Sequence, residues 1–106
     1  MGIDDGLISD IVRRILSVAR PDRVILFGSA ARGEMTPDSD IDLLILEADP
    51  GDTRRKSVLL GDTLRGLGIA VDVIVMATAR FEATKDLIGG IAYPANRHGR
   101  VIYAAP

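Results

Sequence analysis

The run IDLLILE at residues 41–47 constrains the fold more than any other stretch of this chain. After its first residues it is apolar at consecutive positions, so as a strand it presents apolar side chains on both faces and must be covered on both. That is the pattern of a central strand. Two other short apolar runs can flank it, RVILFG at residues 23–28 and AVDVIVM at residues 70–76. The first of these is too short for a helix and closes on a glycine, and both read as strands.

Helical spacing fills the intervals. Leu7, Ile8, Ile11, Val12, Ile15, Leu16 and Ala19 predict an amphipathic helix over residues 5–19, with Asp4 and Asp5 favouring its start and Pro21 just beyond its end. Val58, Leu59, Leu60, Leu64 and Leu67 predict a second helix over residues 52–67, weakened by Gly61 and ended by Gly66 and Gly68. Thr78 is expected to cap a third helix reaching about Leu87. Residues 89–98 stay unassigned, because Pro94 interrupts any single element, and residues 100–104 read as a last strand. Strands alternating with helices around one sheet mean α/β or α+β. No repeat, low-complexity tract or linker divides the chain, so residues 1–106 are expected to be a single domain.

Composition narrows the functional classes. With 47% hydrophobic and 26% charged residues, the chain has the material for a core. The absence of cysteine excludes a disulfide scaffold and any thiolate ligand or nucleophile. No apolar run approaches the roughly 18 residues of a membrane span, and the N-terminus is acidic where a signal peptide is basic, so a cytoplasmic protein is expected. Residues 1–53 hold 5 basic and 11 acidic groups, a balance of −6, whereas residues 54–106 hold 8 and 4, a balance of +4. The only basic cluster is Arg54-Arg55-Lys56 and there are four aromatic residues, two Phe and two Tyr. Nucleic-acid binding is therefore not favoured.

The chemistry concentrates in FGSAARGEMTPDSDIDL, residues 27–43. Gly28 and Ser29 leave a strand for a tight turn, where backbone N–H groups and a hydroxyl can converge on an anion. Arg32 can lay a guanidinium fork over the same oxygens. Asp40 and Asp42 are two apart at the start of a strand, so both carboxylates point to one face, about 7 Å apart. Asp72 interrupts the apolar run AVDVIVM. Three carboxylates that converge repel one another and raise one another's pKa unless a cation neutralises them. Oxygen-only ligands suit Mg²⁺ or Mn²⁺, and Mg²⁺ takes one or two carboxylates with phosphates and water. A phosphate-cradling turn one strand away implies a metal–nucleoside triphosphate site, provided the strands lie side by side.

Gly28-Ser29, ten residues, then Asp40-Ile41-Asp42, with Asp72 on a later strand, resembles the GS-x10-DxD signature of the DNA polymerase beta-like nucleotidyltransferase superfamily. The wording GSAARG…SDIDLLI is similar to its shortest branch, the minimal nucleotidyltransferases, and the likeness extends to an ending like Tyr93…Arg97-His98-Gly99-Arg100-Val101-Ile102-Tyr103. The resemblance implies a small mixed sheet flanked by helices, the nucleotidyltransferase fold. It implies that Asp40 and Asp42 hold two Mg²⁺ ions on the triphosphate of ATP and that Asp72 completes the catalytic set. Gly28, Ser29 and Arg32 would grip the β and γ phosphates, with Ser39 contributing through its backbone. An acceptor hydroxyl would attack the α-phosphorus and release pyrophosphate. Minimal members pair with HEPN-type toxins as antitoxins, and some move AMP onto the toxin. Two alternatives remain open at this point: a binding module that neutralises its partner by complex formation alone, and transfer to a small molecule such as an aminoglycoside, which the lack of an acceptor domain disfavours.

Plainer readings stand beside these. Asp40 and Asp42 can mark the polar lip of a strand, and Arg32 can be a surface arginine. Arg54-Arg55-Lys56 reads first as a solvated helix face. His98, the only histidine, is expected in a surface loop, far in sequence from the carboxylates. Tyr93 and Tyr103 are expected against the sheet, and residues 89–94 can carry partner surface.

Overall fold

A computed structural model describes residues 4–33 and 40–106. The run with two apolar faces is indeed interior. Strand β2 (Ile41–Glu47) pairs antiparallel with β1 (Arg23–Phe27) on one side and parallel with β3 (Val71–Ala77) on the other. A last strand, β4 (Arg100–Ala104), adds antiparallel to the far side of β1, giving the order β3-β2-β1-β4. The sheet is mixed, as expected.

Each face of β2 feeds its own half of the core. Ile41, Leu43 and Ile45 join Val24, Leu26 and Val75 under α1 (Asp5–Leu16) and α2 (Thr53–Thr63). Leu44 and Leu46 join Ile25 under α3 (Thr78–Thr84) and α4 (Ala92–His98), with Phe81, Ala92 and Ala95 supplying the helix side. The five residues from Leu43 to Glu47 are all buried. Burying a Leu or Ile side chain contributes about 1.5–3 kcal/mol, so this strand anchors both layers.

Local chemistry explains where the helices begin and end. The Asp4 carboxylate accepts the Leu7 N–H at 2.8 Å, and Asp52 accepts the Arg55 N–H at 3.1 Å, so both long helices start on an aspartate cap. The first helix stops at Leu16, short of the expected Ala19, as Ser17 turns its hydroxyl onto the Arg14 carbonyl at 2.6 Å. The second runs through Gly61 but stops at Thr63, where Leu64 dives into the core. Arg14 ties the two together by donating to the Arg65 carbonyl at 2.7 Å.

Thr78, residues 89–98 and His98 also depart from expectation. Thr78 is not the cap of α3: Ala77 occupies that position without a side-chain bond, and the Thr78 hydroxyl donates to Asp22 at 2.6 Å. Residues 89–98 hold a helix after all. Pro94 is the third residue of α4, in the first turn, where the missing N–H has no intrahelical partner to lose. His98 accordingly ends a helix rather than lying in a loop. No helix among the described residues is long and apolar enough to cross a membrane.

Candidate active site

The two faces of β2 alternate strictly, so Asp42 lies in the same row as Leu44 and Leu46 and stands at its head. Asp72 heads the equivalent row of Ile74 and Met76 on β3. Parallel register sets Asp42 directly beside Asp72, and antiparallel register sets Phe27 directly across from Asp42 on the other side. The chain leaving Phe27 therefore enters its turn at the carboxylates. The condition that the strands lie side by side is met.

Gly28 is the first residue of that turn and has φ +71°, a conformation that favours glycine. A Cβ there would sit 2.3 Å from Asp42 Oδ2. Glycine is thus required twice, by the backbone and by the carboxylate it backs. The sequence suggests only the first reason. Ser29 is half-buried in the same turn, and Arg32, exposed at its far side, is engaged in an interaction there. Asp40 lies just before β2 and is exposed. Ser39 falls outside the described residues.

Electrostatics mark Asp42 as the centre of this edge. Its carboxyl is held above its ordinary pKa by partial burial first, then by the charge of Asp72, then by that of Asp40. All three effects penalise the ionised form. No ion pair among the described residues involves Asp40, Asp42 or Asp72. Among the described residues, no three His, Cys, Asp or Glu side chains close around one point as a ready metal cage. The donor set nevertheless fits Mg²⁺, which is bound by one or two carboxylates and completes its shell with phosphate and water. Crowded, unpaired oxygen ligands next to a turn that can receive an anion are what such an ion requires.

The other singled-out residues are elsewhere. His98 is exposed and makes no hydrogen bond or ion pair with the carboxylates. The Arg97 guanidinium lies 5.8 Å from the centre of the Tyr93 ring, and Tyr103 packs on the core as expected.

The profile of the family described as "Nucleotidyltransferase domain" matches residues 7–93. Among solved structures, the chain is similar to a toxin–antitoxin solved with AMP-PNP, at TM-score 0.70 and 20% identity, covering 92% of this chain and 73% of that one. A mutant of the toxin–antitoxin MntA–HpeT, with two aspartates two positions apart changed to glutamate, gives TM-score 0.70 and 19% identity over 92% of this chain and 73% of that one. A protein of Sulfolobus solfataricus assigned to the nucleotidyltransferases gives TM-score 0.64 and 22% identity over 93% and 78%. At these identities the likeness speaks for the fold. No curated protein sequence matches the chain.

Proposed function

The chain belongs to the nucleotidyltransferase domain family, and from that premise we propose that it is a Mg²⁺-dependent transferase moving AMP from ATP onto a hydroxyl of a partner protein. In this reading it serves as the antitoxin of a HEPN-type toxin and works in the cytoplasm as a single domain. The observation that carries the chemistry is the register of Asp42 against Asp72 with Gly28 backing the Asp42 carboxylate. Support for the partner comes from the toxin–antitoxins of similar fold, one solved with AMP-PNP and one altered at two aspartates spaced like Asp40 and Asp42.

Asp40 and Asp42 would hold two Mg²⁺ ions on the triphosphate, with Asp72 completing the set. Mn²⁺ has the same ligand chemistry. Bound there, the metal would stabilise the attacking and leaving oxygens of an in-line displacement. The turn from Gly28 supplies N–H donors and the Ser29 hydroxyl to the β and γ phosphates, and Arg32 adds its guanidinium. Ser39 would assist through its backbone. Asp72, exposed on β3, would help the metal to activate the attacking hydroxyl. The acceptor oxygen would form a bond to the α-phosphorus as the bond from that phosphorus to the α–β bridging oxygen breaks, pyrophosphate leaving and the hydroxyl proton passing to the Asp72 carboxylate.

The test is a transfer assay in host-cell extract with α-phosphate-labelled ATP and Mg²⁺, using Asp40→Ala as control. The expected result is a labelled protein band that disappears with Asp40→Ala. Label on a small molecule, or none with any of the four nucleotides in the presence of the toxin, overturns the reading.

A further inference from the structure

We propose that the groove along the outer side of α2 docks an acidic, apolar segment of the acceptor protein. This inference rests on the reading that the acceptor is a protein.

The outer face of α2 is unusual for a solvated helix. Leu60 points into the core, but its neighbours Val58 and Leu59 are 62% and 50% exposed. Arg54 and Arg55 precede them on the exposed surface, in the first turn, where basic groups oppose the helix dipole. Neither guanidinium has an acidic partner among the described residues. Apolar side chains beside uncompensated positive charge form a surface suited to a partner of opposite charge.

Two depressions of about 410 and 470 Å³ meet at Val58. The first is lined by Asp52 with Arg54 and Arg55; the second runs past Ile69 to Ala70 and Val71. Val71 packs with Val73 and Val75 on the α2 side of the sheet, so both depressions open on that side, with the arginines at one end. Charges within the groove leave the arginine end positive. Asp62 and Arg65 neutralise each other at 3.0 Å, and Asp52 is committed to capping the helix.

The shape of the occupant follows from the edge strand. Although β3 is an outer strand, its Val75 N–H already donates to Ser57 Oγ at 3.2 Å. That contact obstructs addition of another strand, so the segment lies along the helix. Eleven helical residues span about 16 Å, so a helical segment of about ten residues matches it. Its acidic side chains meet Arg54 and Arg55, and its apolar ones meet Val58 and Leu59. A single-stranded RNA fits less well, because none of the four aromatic residues lines the groove to stack a base.

The test uses fluorescein-labelled amphipathic peptides of about twelve residues, one Glu/Leu and one Lys/Leu, read by fluorescence anisotropy, with poly-U RNA as competitor. Wild type should bind the Glu/Leu peptide at least tenfold more tightly than the Lys/Leu peptide. The double variant Arg54→Glu/Arg55→Glu should reverse that preference, Val58→Asp should weaken binding of the Glu/Leu peptide, and Asp40→Ala should leave it unchanged. The double variant should also lose the labelled band in extract while Mg·ATP still raises its Tm as in wild type. Equal peptide binding by wild type and the double variant, or displacement by poly-U, overturns the inference. A peptide preference without any labelled protein upholds the groove and sinks the protein-acceptor reading. A labelled band that survives charge reversal, with no peptide preference, does the opposite.

Discussion

Asp42 and Glu47 sit on one strand, five residues apart, and are treated in opposite ways. Glu47, at the C-terminal end of β2, is only 4% exposed, but the Lys56 ammonium from α2 pairs with it. Asp42, near the other end, is half-buried with no cation against it and with the charges of Asp72 and Asp40 nearby. A buried carboxylate with a dedicated lysine belongs to the architecture, since its charge is answered within the chain. A carboxylate crowded by its own kind lowers stability unless something from outside the chain answers it. The difference separates the two ends of β2 by charge: Glu47 is answered by Lys56 within the chain, and Asp42 is left to its neighbouring carboxylates.

The comparison breaks first at Asp42. Asp42→Asn should reduce nucleotidyl transfer by more than about a hundredfold, because even loss of a residue that only supports a metal ligand costs about 10–100-fold; the labelled-ATP assay measures it. Gly28→Ala comes next. A left-handed backbone costs a Cβ-bearing residue about 1–2 kcal/mol, and the new methyl also displaces Asp42 Oδ2. Denaturation should show a loss of about 2–3 kcal/mol in total, together with a fall in transfer. Lys56→Met tests the other end. Leaving Glu47 buried and unanswered should cost about 1–2 kcal/mol, a modest figure because Lys56 is itself 39% exposed. Transfer per folded molecule should not change, and adding Glu47→Gln should restore most of the stability.

The smallest effect is in pH. The folded-state pKa of Asp42 is raised, so the native state binds this proton more tightly than the unfolded chain. Its contribution is fully present below the ordinary carboxylate range and is lost as pH rises through the raised value. Glu82 runs the other way. Lys85 and Arg23 hold its pKa down, so its contribution is present above the ordinary range and is lost as pH falls through the lowered value. Melting curves of wild type and Asp42→Asn across the acidic range should diverge as pH increases.

Much of this was legible in the residues. IDLLILE defines β2 to the residue, because apolar character on both faces allows only an interior strand. Gly28, Asp42 and Asp72 announce themselves as exceptions to apolar runs. What sequence cannot supply is register. Parallel pairing of β2 with β3 is set by how α2 crosses over, so the meeting of Asp42 with Asp72 appears only in three dimensions. The same holds for Lys56 with Glu47, which joins the end of a strand to a helix through packing alone. Pro94 concealed α4 because an interior proline breaks a helix, whereas one in the first turn does not. Thr78 misled for a simpler reason, having a better partner in Asp22.

Carboxylates held for a cation should reveal themselves in the Tm of wild type and Asp42→Asn, measured with and without millimolar Mg²⁺. Without divalent metal, Asp42→Asn should melt above wild type, because it removes one of the mutually repelling charges. With Mg²⁺ the order should reverse, wild type alone gaining stability from the bound ion. A wild type that already melts higher without metal, or an equal rise of both proteins on adding Mg²⁺, would mean that these carboxylates are not held for a cation.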